Sequence, residues 1–130
     1  MMLADIRDWL KTFTVAEHYY IGKLDGKKEK SLGVYQRNVG LPNMAIGGLN
    51  QTSYRTKSVS ILLHWNRNAA ETEKAAFALY EKIISKENPV IGDEKVYYIK
   101  PQTPEPVDVG TDEAGVYERV IWLDLYFERK

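Results

Sequence analysis

The stretch SVSILLHWNRNAAETEKAAFALYEKI, from Ser58 to Ile83, constrains the fold more than any other part of the chain. Between Ser53 and Trp65 the odd positions carry Arg55, Lys57, Val59, Ile61, Leu63 and Trp65, and the even ones carry Thr56, Ser58, Ser60, Leu62 and His64. One parity becomes apolar and the other stays mostly polar, which predicts a long antiparallel-type strand with one face on a core. Asn68 then suits a helix N-cap, with Glu71 three residues later in capping-box spacing. Ala76, Leu79, Tyr80 and Ile83 form the expected buried stripe, with Phe77 and Ile84 alongside. The helix should end by Asn88, because Pro89 disfavours helical geometry before it. A strand that passes into a helix through a short polar turn lets the helix fold back over the sheet's apolar face.

The flanking segments extend this picture. Leu3, Ile6, Leu10 and Phe13, with Trp9 beside them, predict a short amphipathic helix over 3–12. Asp5 near its start and Lys11 near its end suit the helix dipole. Strand-forming residues at 18–21 and 32–35 flank KLDGKKEKS, where Asp25-Gly26 is a turn signal. The expectation is a β-hairpin with a long, basic, exposed tip. Glycines and Pro42 punctuate 38–48, with Met44, Ala45 and Ile46 as a candidate short strand. A turn at Gly92-Asp93 precedes a strand from Lys95 to Ile99, and PQTPEPVDVGTDEAG follows as an extended loop with no core of its own. VYERVIWLDLYFERK closes the chain with a long strand, partly apolar on both faces, which suits a central position or a covered edge. The expected order is helix, three or four strands, helix, two strands. The fold class is α+β, a mainly antiparallel sheet with two helices packed on one face.

Composition sets limits on function. With 130 residues, 44% hydrophobic and 28% charged, the chain suits one domain, 1–130, with one core. Eighteen basic and eighteen acidic residues cancel, so the chain lacks the overall positive excess that displaces counterions from nucleic acid. There is no cysteine, which excludes disulfides, thiolate chemistry and Cys-based metal sites. No apolar run of spanning length occurs, and MMLADIRDWLKTF does not read as a signal peptide.

No constellation points to catalysis. His18 and His64 lie in predicted strands without HxH or HxxxH spacing, and read as plain strand residues. Glu105, Asp108, Asp112 and Glu113 cluster without EF-hand spacing and read as a solvated charged loop. Gly47-Gly48 belongs to neither a phosphate loop nor a dinucleotide fingerprint, and no GxSxG occurs. Lys23, Lys27, Lys28 and Lys30 make the hairpin tip basic, interleaved with Asp25 and Glu29. Nine tyrosines and three tryptophans are the more suggestive signal. Adjacent pairs such as Tyr19-Tyr20 and Tyr97-Tyr98 must point to opposite faces of a strand, so helices on one face leave aromatic surface on the other.

The whole order, from the amphipathic helix through GKLDGKKEKSLGVYQ and YRTKSVSILLHWNRNAAETEKAAFALYEKI to the acidic loop and VYERVIWLDLYFERK, resembles small minor capsid proteins of tailed bacteriophages and prophages. The resemblance is to the tail-terminator, or head–tail joining, type. It implies a structural virion protein with no enzymatic activity and no cofactor, assembled in the bacterial host cytoplasm. It implies an α+β subunit that forms a ring, commonly a hexamer, capping the tail tube and facing the head connector. DNA would meet such a protein only by passing through the ring, and no membrane is involved. No family motif anchors individual interface residues. The candidate interface is therefore local: Lys23, Lys27, Lys28 and Lys30 on one loop, and Glu105, Asp108, Asp112 and Glu113 on the other. Their opposite signs suit contact between subunits. Two other classes stay open at this point: a small ligand-binding domain, which needs a concave pocket, and a nucleic-acid-binding adaptor using the lysine tip.

Overall fold

The computed structural model describes residues 1–37 and 54–128. Two helices and seven strands follow one another as α1 (Leu3–Lys11), β1 (His18–Ile21), β2 (Ser31–Gln36), β3 (Tyr54–His64), α2 (Ala69–Ile84), β4 (Val90–Ile91), β5 (Glu94–Pro101), β6 (Val107–Thr111) and β7 (Tyr117–Glu128). They build one sheet in the order β1-β2-β3-β7-β5-β4, with β6 also pairing β7. The fold is α+β. The candidate strand at Met44–Ile46 and the Gly47-Gly48 bend lie outside the described residues.

The period-two pattern of β3 becomes a face. Val59, Ile61 and Leu63 are buried and pair across the sheet with Leu123, Ile121 and Arg119 of β7. Leu32 and Val34 of β2 extend the same apolar surface. Onto it α1 sets Ile6 and Leu10, and α2 sets Ala76, Leu79, Tyr80 and Ile83, all in one buried cluster. Both helices thus cover one face, and the expected α2 stripe is the buried one. Asn68 caps α2 as its spacing predicts, its Oδ1 accepting the Glu71 N–H at 3.0 Å. The reciprocal half of the box comes from Asn66, whose Oδ1 accepts the Asn68 N–H. At the far end of the helix, Asn88 takes a left-handed φ of 45° just before Pro89.

The last strand is central. β7 pairs with β3 along its whole length on one side, and with β5 and then β6 on the other. This explains its apolar character on both faces. Gly92 and Asp93, both at positive φ, make the tight β4–β5 turn that the sequence predicts.

Two expectations are corrected. The segment from His18 to Gln36 is not a hairpin: β1 and β2 run parallel, His18 opposite Ser31 and Ile21 opposite Val34. Parallel neighbours need a crossover. Because β1 is only 4 residues long, residues 22–30 are enough to return the chain to the start of β2. The room comes from Gly33, where an added Cβ would lie 2.8 Å from the Tyr35 ring and 3.3 Å from Leu24. A turn does form at Asp25, whose carbonyl accepts the Lys28 N–H. The second correction concerns the acidic segment, which contains β6 and so raises the strands after α2 to four among the described residues. Val107 opposite Val120 and Asp108 opposite Arg119 start that pairing. A bulge between Asp108 and Gly110, with Gly110 at φ 86°, hides the period-two pattern from a sequence reading.

Candidate assembly surface

Three surfaces carry the residues that the sequence singles out: the helix-free face of the sheet, and its two outer edges.

The helix-free face is aromatic and polar. Tyr19 and Tyr20 do split across the sheet: Tyr19 packs on the core, while Tyr20 stacks with His18 at 6.3 Å. Tyr54 and Tyr98 both lie against Tyr126, with ring centroids at 5.6 and 6.1 Å, giving a tyrosine group spanning β3, β7 and β5. Beside it Asp124 ties several segments together. Arg37 and Ser58 donate to its Oδ1, and Gln102 donates to its Oδ2 at 2.7 Å. Burial raises the Tyr35 phenol above its ordinary range, although its oxygen accepts the Leu24 N–H, which acts in the opposite direction.

The two charged loops come together at one end of this face. His64 is buried between them. Its Nδ1 faces Glu118 Oε2 at 2.9 Å, and its Nε2 faces the Gly26 carbonyl at 3.1 Å, with Asp112 Oδ2 at 3.7 Å. One ring therefore joins the lysine loop to the acidic turn. The sequence reading treats His64 as a plain strand residue and so misses this role. The available signal is its place on the polar parity of an otherwise apolar strand end.

The candidate charges divide by what they do. Lys23, Lys27, Lys28 and Lys30 are all exposed, as are Glu105 and Glu113. Asp112 is half-buried, and its Oδ1 accepts the Ala114 and Val116 N–H groups. Asp108 accepts the Gly110 N–H with Oδ1 at the bulge and has Oδ2 3.8 Å from Arg119. These two acids hold their own turns as well as presenting charge.

Among the described residues the sheet ends in β1 on one side, and in β4 and β6 on the other. No described strand pairs with the outer side of β1 or with that of β6. Ile21 at the end of β1 and Val109 within β6 are among the few large exposed apolar side chains. An open concavity runs along the β1 edge, lined by Lys11, Val15, Glu17, His18 and Tyr20 among others. On the helix side, a groove of about 230 Å³ lies between the end of α1 and α2, lined mainly by Val15, Leu32, Leu63, Trp65, Ala75 and Leu79. Its lining has few polar groups to orient a substrate. Among the described residues, no group of three or more His, Asp or Glu side chains is placed to hold a metal ion, and no helix is long and apolar enough to cross a membrane.

A search of curated proteins returns no match. A family model of bacteriophage tail terminator proteins, in contrast, matches residues 5–128, nearly the whole chain, from the first turn of α1 to the end of β7. That family is structural and non-enzymatic, made of virion components that meet other tail and head proteins. The chain belongs to the bacteriophage tail terminator protein family.

Proposed function

We propose that the chain is the subunit of a homo-oligomeric ring, of about six copies, that caps the tail tube and presents a surface to the head connector. The family match over residues 5–128 carries this reading. The fold suits it physically. A head-to-tail ring needs two different patches on each subunit, and the subunit exposes two unlike sheet edges and one helix-free aromatic face. The tail tube protein and the neck proteins are the partners on the two sides of the ring. DNA passes through the ring without sequence-specific contact, in keeping with a net charge of zero. Assembly takes place in the bacterial host cytoplasm, and the product is part of the virion. The subunit performs no catalysis and carries no cofactor.

The test is the solution mass of the purified chain by light scattering over a concentration series, with negative-stain images, alone and with tail tubes. Closed rings, free or seated on tube ends, are the expected result. A chain that stays monomeric with and without tubes overturns the reading.

A further inference from the structure

The pairing registers place the outer edges of β1 and β6, which pair with no other described strand, at the same height on the sheet. Tyr19 stands opposite Leu32, Leu32 opposite Leu63, Leu63 opposite Arg119, and Arg119 opposite Asp108. One step along, Tyr20 is linked in the same way through Gly33, Leu62 and Val120 to Val107. The strand directions also agree. β1 is parallel to β2, β2 and β7 are each antiparallel to β3, and β6 is antiparallel to β7. β1 and β6 therefore run in opposite directions.

From this the geometry points to a specific subunit contact: the outer edge of β1 adds to the outer edge of β6 of a second copy, as an antiparallel strand pair that continues the sheet around the ring. The inference rests on the ring reading above. A rotation about an axis lying roughly along the strands preserves both height and direction. It brings β1 of one copy level with β6 of the next, in the more stable of the two pairing modes. Each edge is unlike itself and matched to the other, so the contact is heterologous and closes only as a ring.

The edges are built for partnership. Natural proteins blunt free edges with charge, proline or bulges. β1, with the sequence HYYI, is kept short at 4 residues but carries no proline, lysine or bulge. β6 has a bulge, but Val109 stands exposed on it. The charges are complementary. Lys11 lies over the Tyr19 ring at 5.7 Å, on the helix side of the β1 edge. Asp108 lies level with Tyr19 and on that same side, near Arg119. Joining the edges sets Lys11 of one copy beside Asp108 of the next. Lys23 and Glu105 add the same signs to the two edges.

The absence of native cysteine makes the test direct. In the double variant Tyr20→Cys, Val107→Cys, mild oxidation of the assembled protein should yield a ladder of covalent multimers up to the ring number, while neither single variant yields one. Lys23→Glu alone, at an exposed charge of the β1 edge, should weaken assembly about tenfold, and adding Glu105→Lys, at an exposed charge of the β6 edge, should bring it back to within about threefold. That rescue separates an interface role from a folding defect. Rings that form by mass and by image, yet give no ladder with Tyr20→Cys, Val107→Cys or with the shifted pair His18→Cys, Val107→Cys, overturn the edge contact and leave the ring reading standing. Monomers alone, with and without tail tubes, overturn both.

Discussion

The ring of His64 and the carboxylate of Glu118 face each other across the β3–β7 pair, 2.9 Å from Nδ1 to Oε2. The opposite nitrogen holds the Gly26 carbonyl. A buried side chain in the middle of the sheet thus anchors the loop that carries the exposed lysines. Replacing it leaves a half-buried carboxylate and a carbonyl without their partner. His64→Ala is expected to lower stability by about 2–3 kcal/mol in urea unfolding. It should also speed limited trypsin cleavage at Lys27 and Lys28 well before global unfolding. Unchanged cleavage would show that the loop is held by other contacts.

Asp124 is the second polar anchor, and its loss is expected to cost more. It is mostly buried, as is its partner Arg37, whose Nε has no hydrogen-bond partner among the described residues. Removing one member of such a pair strands the other charge. Asp124→Ala should destabilise by about 3 kcal/mol. Asp124→Asn, which keeps an acceptor for Ser58 and Arg37, should cost clearly less. Equal costs for the two would assign the effect to packing rather than charge.

The cap of α2 gives a milder prediction. Asn68→Ala removes the acceptor for the Glu71 N–H and should cost about 1 kcal/mol, read as a shift in the unfolding midpoint at unchanged slope.

Gly92 answers to both conformation and space. Its φ is 56°, and an added Cβ would meet the Asp5 carboxyl group at 2.6 Å. Gly92→Ala should cost more than about 1 kcal/mol and loosen the contact between α1 and the β4–β5 turn. Hydrogen exchange at the start of α1 would record that loosening.

Alkaline pH should weaken the fold through two phenols. Burial raises Tyr35 and Tyr80 above their ordinary value of 10.0. The unfolded chain then gives up these protons at a lower pH than the folded one. The stabilising contribution is complete below the unfolded value, near pH 10, and is lost as pH rises through the raised folded values. Tyr35→Phe and Tyr80→Phe should each flatten the fall in stability above about pH 10. A fall of equal steepness in both variants would place its origin elsewhere.

Much of this architecture is legible in the residues. The alternation in β3, the Asn68 cap, the α2 stripe and the positive-φ pair Gly92-Asp93 each act over a few neighbours, so local chemistry is enough to read them. The central place of β7 follows from apolar residues on both its faces. What local chemistry does not encode is pairing. Strand-rich runs flanking Asp25-Gly26 look the same whether the strands meet antiparallel or parallel, and the packing of Leu24 over Gly33 is seen only once the parallel pair is formed. β6 is concealed because its bulge breaks the alternation. The parts played by His64 and Asp124 need partners from distant segments, and charge alone does not reveal that Asp108 and Asp112 are engaged at their own turns.

The position of β7 also bears on synthesis. It follows all the other described strands in the chain, yet it joins the β1-β2-β3 half of the sheet to the β4-β5-β6 half. Until Tyr117–Glu128 has left the ribosome, the two halves have no strand between them, and the apolar side of β3 lacks its main neighbour. A nascent or prematurely stopped chain therefore cannot align β1 and β6 at one height. In the proposed ring, a chain without β7 would lack the edge contact between copies, so the strand that joins the two halves of the sheet also couples folding of the subunit to its assembly.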